Sequence, residues 1–349
     1  MSAETPMTST KSAGGSGTVS STGRLVARLA RLRAWLFLAM LLVFFESWAQ
    51  ARYGATFLFS GYNAASIGVF AVAPLFLALG STFVIISGGI DLSIGFVMGL
   101  SAVVAAHVTG LAGHHLPVPL AMAAGILIGV AVAIVPGSVN GFLISKLKVP
   151  PFIGTLGMFG IARGTAFLIA GGTTVPFSNS WMSTLGNGRV LGVPIIVLVA
   201  VVFVVFMHYL LSQTRFGQHT YAIGASEQAA ARAGINVARH TRRLYLLSAL
   251  CAGMGGVLYA ARFSAGAAQA GEPLLLDSIA AVVIGGASLF GGSGTVLGTV
   301  AGALVIAVIQ YGLVFINVEP FWQFIAVGAV IVISVLVDQT QRRFGGEKH

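Results

Sequence analysis

Apolar residues in this chain gather into long runs separated by short polar segments. The runs cover approximately 34–51, 64–87, 92–111, 117–143, 151–171, 190–211, 241–262, 276–290, 295–317 and 320–338. A helix that crosses a bilayer needs about 20 such residues. The pattern therefore predicts an all-α polytopic transmembrane bundle of about ten helices. The 276–290 run is short and the 117–143 run is long, and glycine-broken or re-entrant pieces would change the count. Residues 1–30, rich in Ser, Thr and Gly at their start, read as a disordered cytoplasmic tail. Residues 31–340 read as one transmembrane domain and 341–349 as a second cytoplasmic tail. The first apolar run is already long and flanked by arginines, so it reads as a retained anchor rather than a cleaved signal.

The polar segments between the runs carry an orientation. With the N-terminus in the cytoplasm, the inner side holds Lys11, Arg24, Arg28, Arg31 and Arg33, then Lys146 and Lys148. It also holds Arg215, Arg232, Arg239, Arg242 and Arg243, then Arg342, Arg343 and Lys348. Arg52, Arg189 and Arg262 fall outside, and Arg163 falls within a run. Basic residues favour cytoplasmic loops, so this bias predicts an even number of spans with both termini cytoplasmic.

Composition strengthens the same reading. The 349 residues are 56% hydrophobic and 8% charged, with a mean hydropathy of +0.93. Soluble domains carry about 25% charged residues, so this chain could not cover a water-facing surface. The net charge of +10 is explained by topology and implies no nucleic-acid partner. Glycine pairs four residues apart, Gly95/Gly99, Gly125/Gly129, Gly137/Gly141, Gly160/Gly164 and the run Gly294/Gly298/Gly302, predict close helix packing. The single cysteine, Cys251, permits no intrachain disulfide and reads as a small core residue.

Charges inside apolar runs are the candidate chemistry, because each is costly at bilayer depth. Of the nine acidic residues, Glu46, Asp91, Asp277 and Glu319 lie in or beside such runs. Asp91 follows Gly88-Gly89-Ile90 and precedes Leu92-Ser93, which predicts a helix break with Asp91 capping the next helix or lying on a substrate path. Asp277 likewise reads as a helix-start cap or path residue. Arg163 either pairs with an aspartate or snorkels. The longest polar loop, about 212–240, contains Ser226, Glu227, Ala229, Ala230, Ala231 and Ala233 ahead of Gly234. A Ser cap, an acid in the first turn, an alanine run and a terminal glycine predict a short helix there.

Enzyme signatures are missing. No Gly-x-x-x-x-Gly-Lys-Ser/Thr occurs and the chain has four lysines, so it carries no P-loop for ATP. Gly291-Gly292-Ser293-Gly294 superficially resembles a serine-protease turn, but the only histidine beyond it is His349. His107, His114 and His115 read mainly as a solvated loop, with a metal site as the minor alternative.

Four ordered blocks resemble the membrane permeases of the ribose, xylose, arabinose and galactose class of bacterial ABC importers. They are Ile86-Ser87-Gly88-Gly89-Ile90-Asp91-Leu92-Ser93, then Asn140-Gly141 with Val149 to Gly157 and Arg163-Gly164. The third is Tyr221-Ala222-Ile223-Gly224 through Gly234-Ile235-Asn236-Val237, and the fourth is Leu276 to Gly286 with Gly291-Gly292 and Gly298-Thr299. The resemblance covers about residues 60–340. Branched-chain amino-acid permeases are relatives of this class, and the Gly-Gly-Ile-Asp-Leu-Ser block points to the sugar branch.

The resemblance implies a multi-pass protein of the bacterial inner membrane with no ATPase site and no cofactor of its own. It implies a separate cytoplasmic ATP-binding subunit, a second permease copy or sister permease, and an external sugar-binding protein that delivers a pentose or hexose. It implies that the helix around Ser226, Glu227, Ala229, Ala230 and Gly234 couples to the ATPase. Gly88, Gly89, Asp91, Ser93, Asn140, Arg163 and Asp277 become translocation-path or helix-break candidates. Asn140, Gln310, Asn317 and Gln323 become candidate partners for sugar hydroxyls. The class usually has a glutamate where this chain has Leu275. The rival reading is an ion-coupled secondary transporter using Asp91 or Asp277.

Overall fold

A computed structural model of the chain describes residues 21–319 and 321–345. In chain order it forms α1 (Ser21–Tyr53), α2 (Gly61–Ile86), α3 (Ile94–Gly113), α4 (Val118–Ala131), α5 (Ile134–Ser145) and α6 (Pro151–Ala170). There follow β1 (Val175–Pro176), α7 (Ser180–Asn187), β2 (Arg189–Val190), β3 (Val193–Pro194) and α8 (Ile195–Ser212). The polar loop carries α9 (Arg215–Ala225) and α10 (Glu227–Arg232), and the chain ends with α11 (Val237–Phe263), β4 (Ala265–Gly266), α12 (Glu272–Ile284), α13 (Val296–Phe315) and α14 (Phe321–Gly345). The strands are two-residue antiparallel pairs, β1 with β4 and β2 with β3, so the architecture is an all-α polytopic membrane bundle. Helix α1 begins inside the stretch expected as an N-terminal tail, while residues 1–20 and 346–349 of the two expected tails lie outside the described residues.

Eight helical stretches among the described residues, rather than the expected ten, are long and apolar enough to cross a membrane. The 276–290 run fails the test because α12 is a 13-residue helix. It ends at Gly285, and Gly286 then takes a positive φ of 93° that a helix does not continue through. Helix α12 also starts four residues early, at Glu272, because Pro273 fits the first helical turn. Of the 320–338 run, Phe321–Val330 is described as a shorter apolar piece of α14. The 117–143 run is one span broken at Val132–Ala133 into α4 and α5. Pro136 supplies the reason, since it has no N–H to donate to the preceding turn.

Helices α2, α3, α11 and α13 form the core, with 83%, 72%, 72% and 67% of their apolar windows buried, against 22% for α4–α5 and α8 and 28% for α6. Glycine sets how closely the core helices approach. A Cβ at Gly256 would overlap the Met98 carbonyl of α3, and one at Gly302 would overlap the Ala281 carbonyl of α12. Gly137 and Gly141 pack on α11, and Gly125 and Gly129 pack on α3. Gly160 and Gly164 of α6 face open space. Buried polar contacts cross-link the core: Thr82 and Thr299 hydroxyls lie 2.7 Å apart, and the Tyr311 hydroxyl donates to Asn63 Oδ1 at 2.7 Å. Glu46 accepts from the N–H groups of Phe57 and Leu58 at 2.8 and 2.7 Å, tying α1 to the loop that leads into α2.

Candidate functional site

The α9–α10 segment is built by short-range rules. Ser226 adopts an extended backbone and its Oγ accepts from the Ala229 N–H at 3.2 Å, which caps α10. At the other end Gly234 has φ 85°. Its N–H donates to the Ala231 carbonyl at 3.0 Å, and the Ile235 N–H donates to the Ala230 carbonyl at 3.1 Å. That pair of bonds is the Schellman stop, which favours glycine at its left-handed residue. Ala230 is buried, whereas Ser226, Glu227, Ala229 and Gly234 are exposed. Glu227 pairs with Lys148 of the α5–α6 connection at 3.5 Å, a solvent-exposed contact that contributes little to stability.

Helix α9 grips the bundle beneath it. A Cβ on Gly224 would overlap the Ile86 carbonyl at the end of α2 and crowd the Gly292 N–H. That N–H itself donates to the Ile86 carbonyl at 2.8 Å. The Tyr221 hydroxyl donates to the Gly294 carbonyl at 2.7 Å, and burial holds its phenol above the usual tyrosine pKa, so it remains a donor. The end of α2 and the glycine loop after α12 are thus joined backbone to backbone, and α9 is held against both by the Tyr221 side chain and the close approach of Gly224. Sequence reasoning missed this clamp, although Gly224, Gly291 and Gly292 stand in the recognised blocks.

The α2–α3 break is a second Schellman stop. Gly88, at φ 84°, donates to the Ile85 carbonyl at 2.9 Å, and Gly89 donates to the Val84 carbonyl at 2.9 Å. Asp91 follows, 2% exposed. Its Oδ1 accepts from the Ser93 N–H at 3.0 Å and from Ser93 Oγ at 2.6 Å, and its Oδ2 accepts from Ser248 Oγ of α11 at 2.9 Å. Asn140 of α5 donates to Ser93 Oγ at 2.9 Å, and the Tyr245 hydroxyl donates to the Ile90 carbonyl at 3.2 Å. The expectation that Asp91 caps α3 is corrected. Ser93 holds the N-cap position without a side-chain cap bond, and Asp91 closes a turn onto the residue two ahead.

Asp277 is not a helix-start cap either. It lies one and a half turns inside α12, because that helix starts at Glu272. It is 7% exposed, and its Oδ2 accepts from Gln310 Nε2 of α13 at 2.7 Å. The pair stands on the wall of a cavity of about 310 Å³ between α2, α11, α12, α13 and α14. Gln323 lines the same cavity, whereas Asn140 sits in the Asp91 cluster and Asn317 lies beyond the end of α13. Arg163 pairs with neither aspartate; its guanidinium lies 5.2 Å from the centre of the Phe96 ring. His107 is hydrogen-bonded to the Ile169 carbonyl at 2.8 Å, and no group of metal-ligating side chains occurs among the described residues.

Residues 63–335 match the model of a family described as the permease component of a branched-chain amino acid transport system. The chain belongs to this permease family. The permease is 39% identical over 274 residues to the probable ABC transporter permease protein y4mJ of Sinorhizobium fredii, covering 76% of this chain and 78% of that one. It is 38% identical over 265 residues to the ribose import permease protein RbsC of Bacillus subtilis, covering 75% and 80%. It is 38% identical over 278 residues to the galactose/methyl galactoside import permease protein MglC of Escherichia coli, covering 76% and 82%. No solved structure matches the permease.

Proposed function

We propose that this permease is the membrane-spanning subunit of an ATP-driven importer of a monosaccharide, a pentose or hexose. An external binding protein delivers the sugar, and ATP is hydrolysed on a separate cytoplasmic subunit. The curated relatives named for ribose and galactose import support the substrate class. The observation that carries the mechanism is the exposed α10, capped by Ser226 and stopped at Gly234, set on an α9 that is clamped to α2 and the glycine loop.

In this reading α10 docks on the ATPase, with Ser226, Glu227, Ala229 and Gly234 at the contact and Ala230 holding the helix to the bundle. Movement of the docked helix reaches the core through α9 as a rigid-body change. The bundle end that carries α9, α10 and Lys148 faces the cytoplasm, because Arg215, Arg232, Arg239, Arg242 and Arg243 gather in and beside this loop. Both termini then lie on the cytoplasmic side of a bacterial inner membrane. The two permease positions are filled by two copies of this chain or by this chain and a sister. Gly88, Gly89, Asp91, Ser93 and Asn140 form the helix break beside the path, and Arg163 and Asp277 face it.

A mild-detergent pull-down of the tagged permease from its host, read by mass spectrometry, tests the assignment. A P-loop ATPase co-purifies with the wild-type chain and is lost in Gly234→Arg, which still reaches the membrane. Uptake that survives ATP depletion but stops when the ion gradient collapses would replace this reading with ion-coupled transport through Asp91 or Asp277.

A further inference from the structure

We infer that the cavity bearing Asp277 and Gln310 is a sugar-binding subsite within the permease itself, sized for one monosaccharide; this inference rests on the importer reading. At about 310 Å³ the cavity stands at the small end of ligand sites and has room for a single sugar ring. Its walls are mainly apolar, with a few polar groups that converge from different helices, which is how small-molecule sites combine affinity with orientation.

The polar groups come from four elements. Asp277 is contributed by α12, Gln310 by α13, Gln323 by α14 and Arg262 by the last turn of α11. Only one oxygen of Asp277 is engaged, by Gln310, and no ion pair joins Asp277 to Arg262 although both line the cavity. The free oxygen of Asp277 is not sealed in the wall but open to the cavity, where a ligand can supply its donor in place of water. A sugar hydroxyl does this, because it donates to the carboxylate while accepting from an amide or guanidinium N–H. The two glutamine amides add both donors and acceptors, which matches neighbouring hydroxyls on one ring. Tyr259 and Phe324 supply aromatic surface in the same cavity.

The site also has an entrance. Tyr259 and Phe324 line a second, more open cavity of about 800 Å³ together with Gln269 and Glu272. This vestibule adjoins the β1–β4 pair, on the side of the bundle away from α10. Sugar released from a binding protein would enter there and reach Asp277 before any cytoplasmic group.

Site-directed thiol labelling tests the inference. The only native cysteine, Cys251, is buried, so a Gln323→Cys variant gives one reactive position in the cavity. The assembled importer in membranes is treated with a small water-soluble maleimide, alone or with ribose, fructose, galactose or leucine. At least one of the three sugars is expected to slow labelling severalfold, and adding Asp277→Asn or Gln310→Leu is expected to weaken that protection roughly tenfold. Fast labelling that no sugar slows, or protection untouched by both second substitutions, overturns the subsite. Slow labelling in the absence of sugar overturns the vestibule route. Protection by leucine and by none of the sugars overturns the substrate class of the importer reading. The pull-down above reads the importer reading separately, since ATPase association does not depend on this cavity.

Discussion

Replacing Asp91 by alanine separates an architectural carboxylate from a dispensable one. The side chain receives three hydrogen bonds, from the Ser93 N–H, Ser93 Oγ and Ser248 Oγ, all in a region where Asp91, Ser93 and Ser248 are 2%, 1% and 0% exposed. Alanine removes all three acceptors. A buried donor left without its partner costs about 1–3 kcal/mol. Neighbours relax and the losses overlap, so we expect a destabilisation on the order of 4 kcal/mol. Asparagine keeps an oxygen for the two Ser93 bonds, and its amide can donate to a rotated Ser248 hydroxyl, so Asp91→Asn should cost about 1 kcal/mol. Unfolding of the purified permease in mixed micelles, followed by circular dichroism against added denaturing detergent, reads both values. A Ser248→Ala variant adds a double-mutant cycle, with an expected coupling of about 1–2 kcal/mol to Asp91. An alanine variant within about 1 kcal/mol of wild type, or no coupling to Ser248, would refute the cluster as the tie between the α2–α3 break and α11.

Other substitutions probe the cytoplasmic grip and the opposite end of the bundle. Gly224→Val should leave the chain inserted but uncouple it, with ATPase activity retained by the assembled importer and sugar uptake lost, because its Cβ has no room beside Ile86 and Gly292. Gly234→Asn, which tolerates the left-handed conformation, should retain most of the uptake that Gly234→Arg loses; equal loss in both would count against docking as the cause. Lys148→Ala should leave uptake within twofold of wild type, since its pair with Glu227 is exposed on both sides. Glu46→Ala should lower the detergent melting temperature by frying loose the α1–α2 loop, whose N–H groups at Phe57 and Leu58 it satisfies, while Glu46→Gln should lower it less.

What could be read from the sequence was local. The long apolar runs gave eight of the spans. Ser226 and Gly234 announced the ends of α10, because a cap and a left-handed stop each depend on residues within one turn. Asp91 was visible as an expensive charge, but its partners were not. Ser248 lies 157 residues away and Asn140 bonds to Ser93 across 47, distances that no periodicity encodes. Asp277 stands at the start of the 276–290 apolar run, but the helix reaches back to Glu272 because proline suits a first helical turn. The short α12 was hidden for a related reason: the apolar run continues through Gly285-Gly286, and only the backbone turn there shows that the helix has ended.

The grip of α9 on α2 and the glycine loop has two parts: one side-chain hydrogen bond, from Tyr221 to the Gly294 carbonyl, and main-chain packing of Gly224 against the Ile86 carbonyl and the Gly292 N–H that donates to it. Side-chain contacts have slack, since a rotamer change can absorb a shift of an ångström or two before anything beyond it moves. Peptide groups in direct contact have almost none. In the proposed coupling role, the packed peptide groups would pass even a small displacement of α9 to its neighbours, like a gear train without backlash. A drive of this kind needs no large stroke from its motor, and it should lose force as soon as a single methyl group is forced between the teeth.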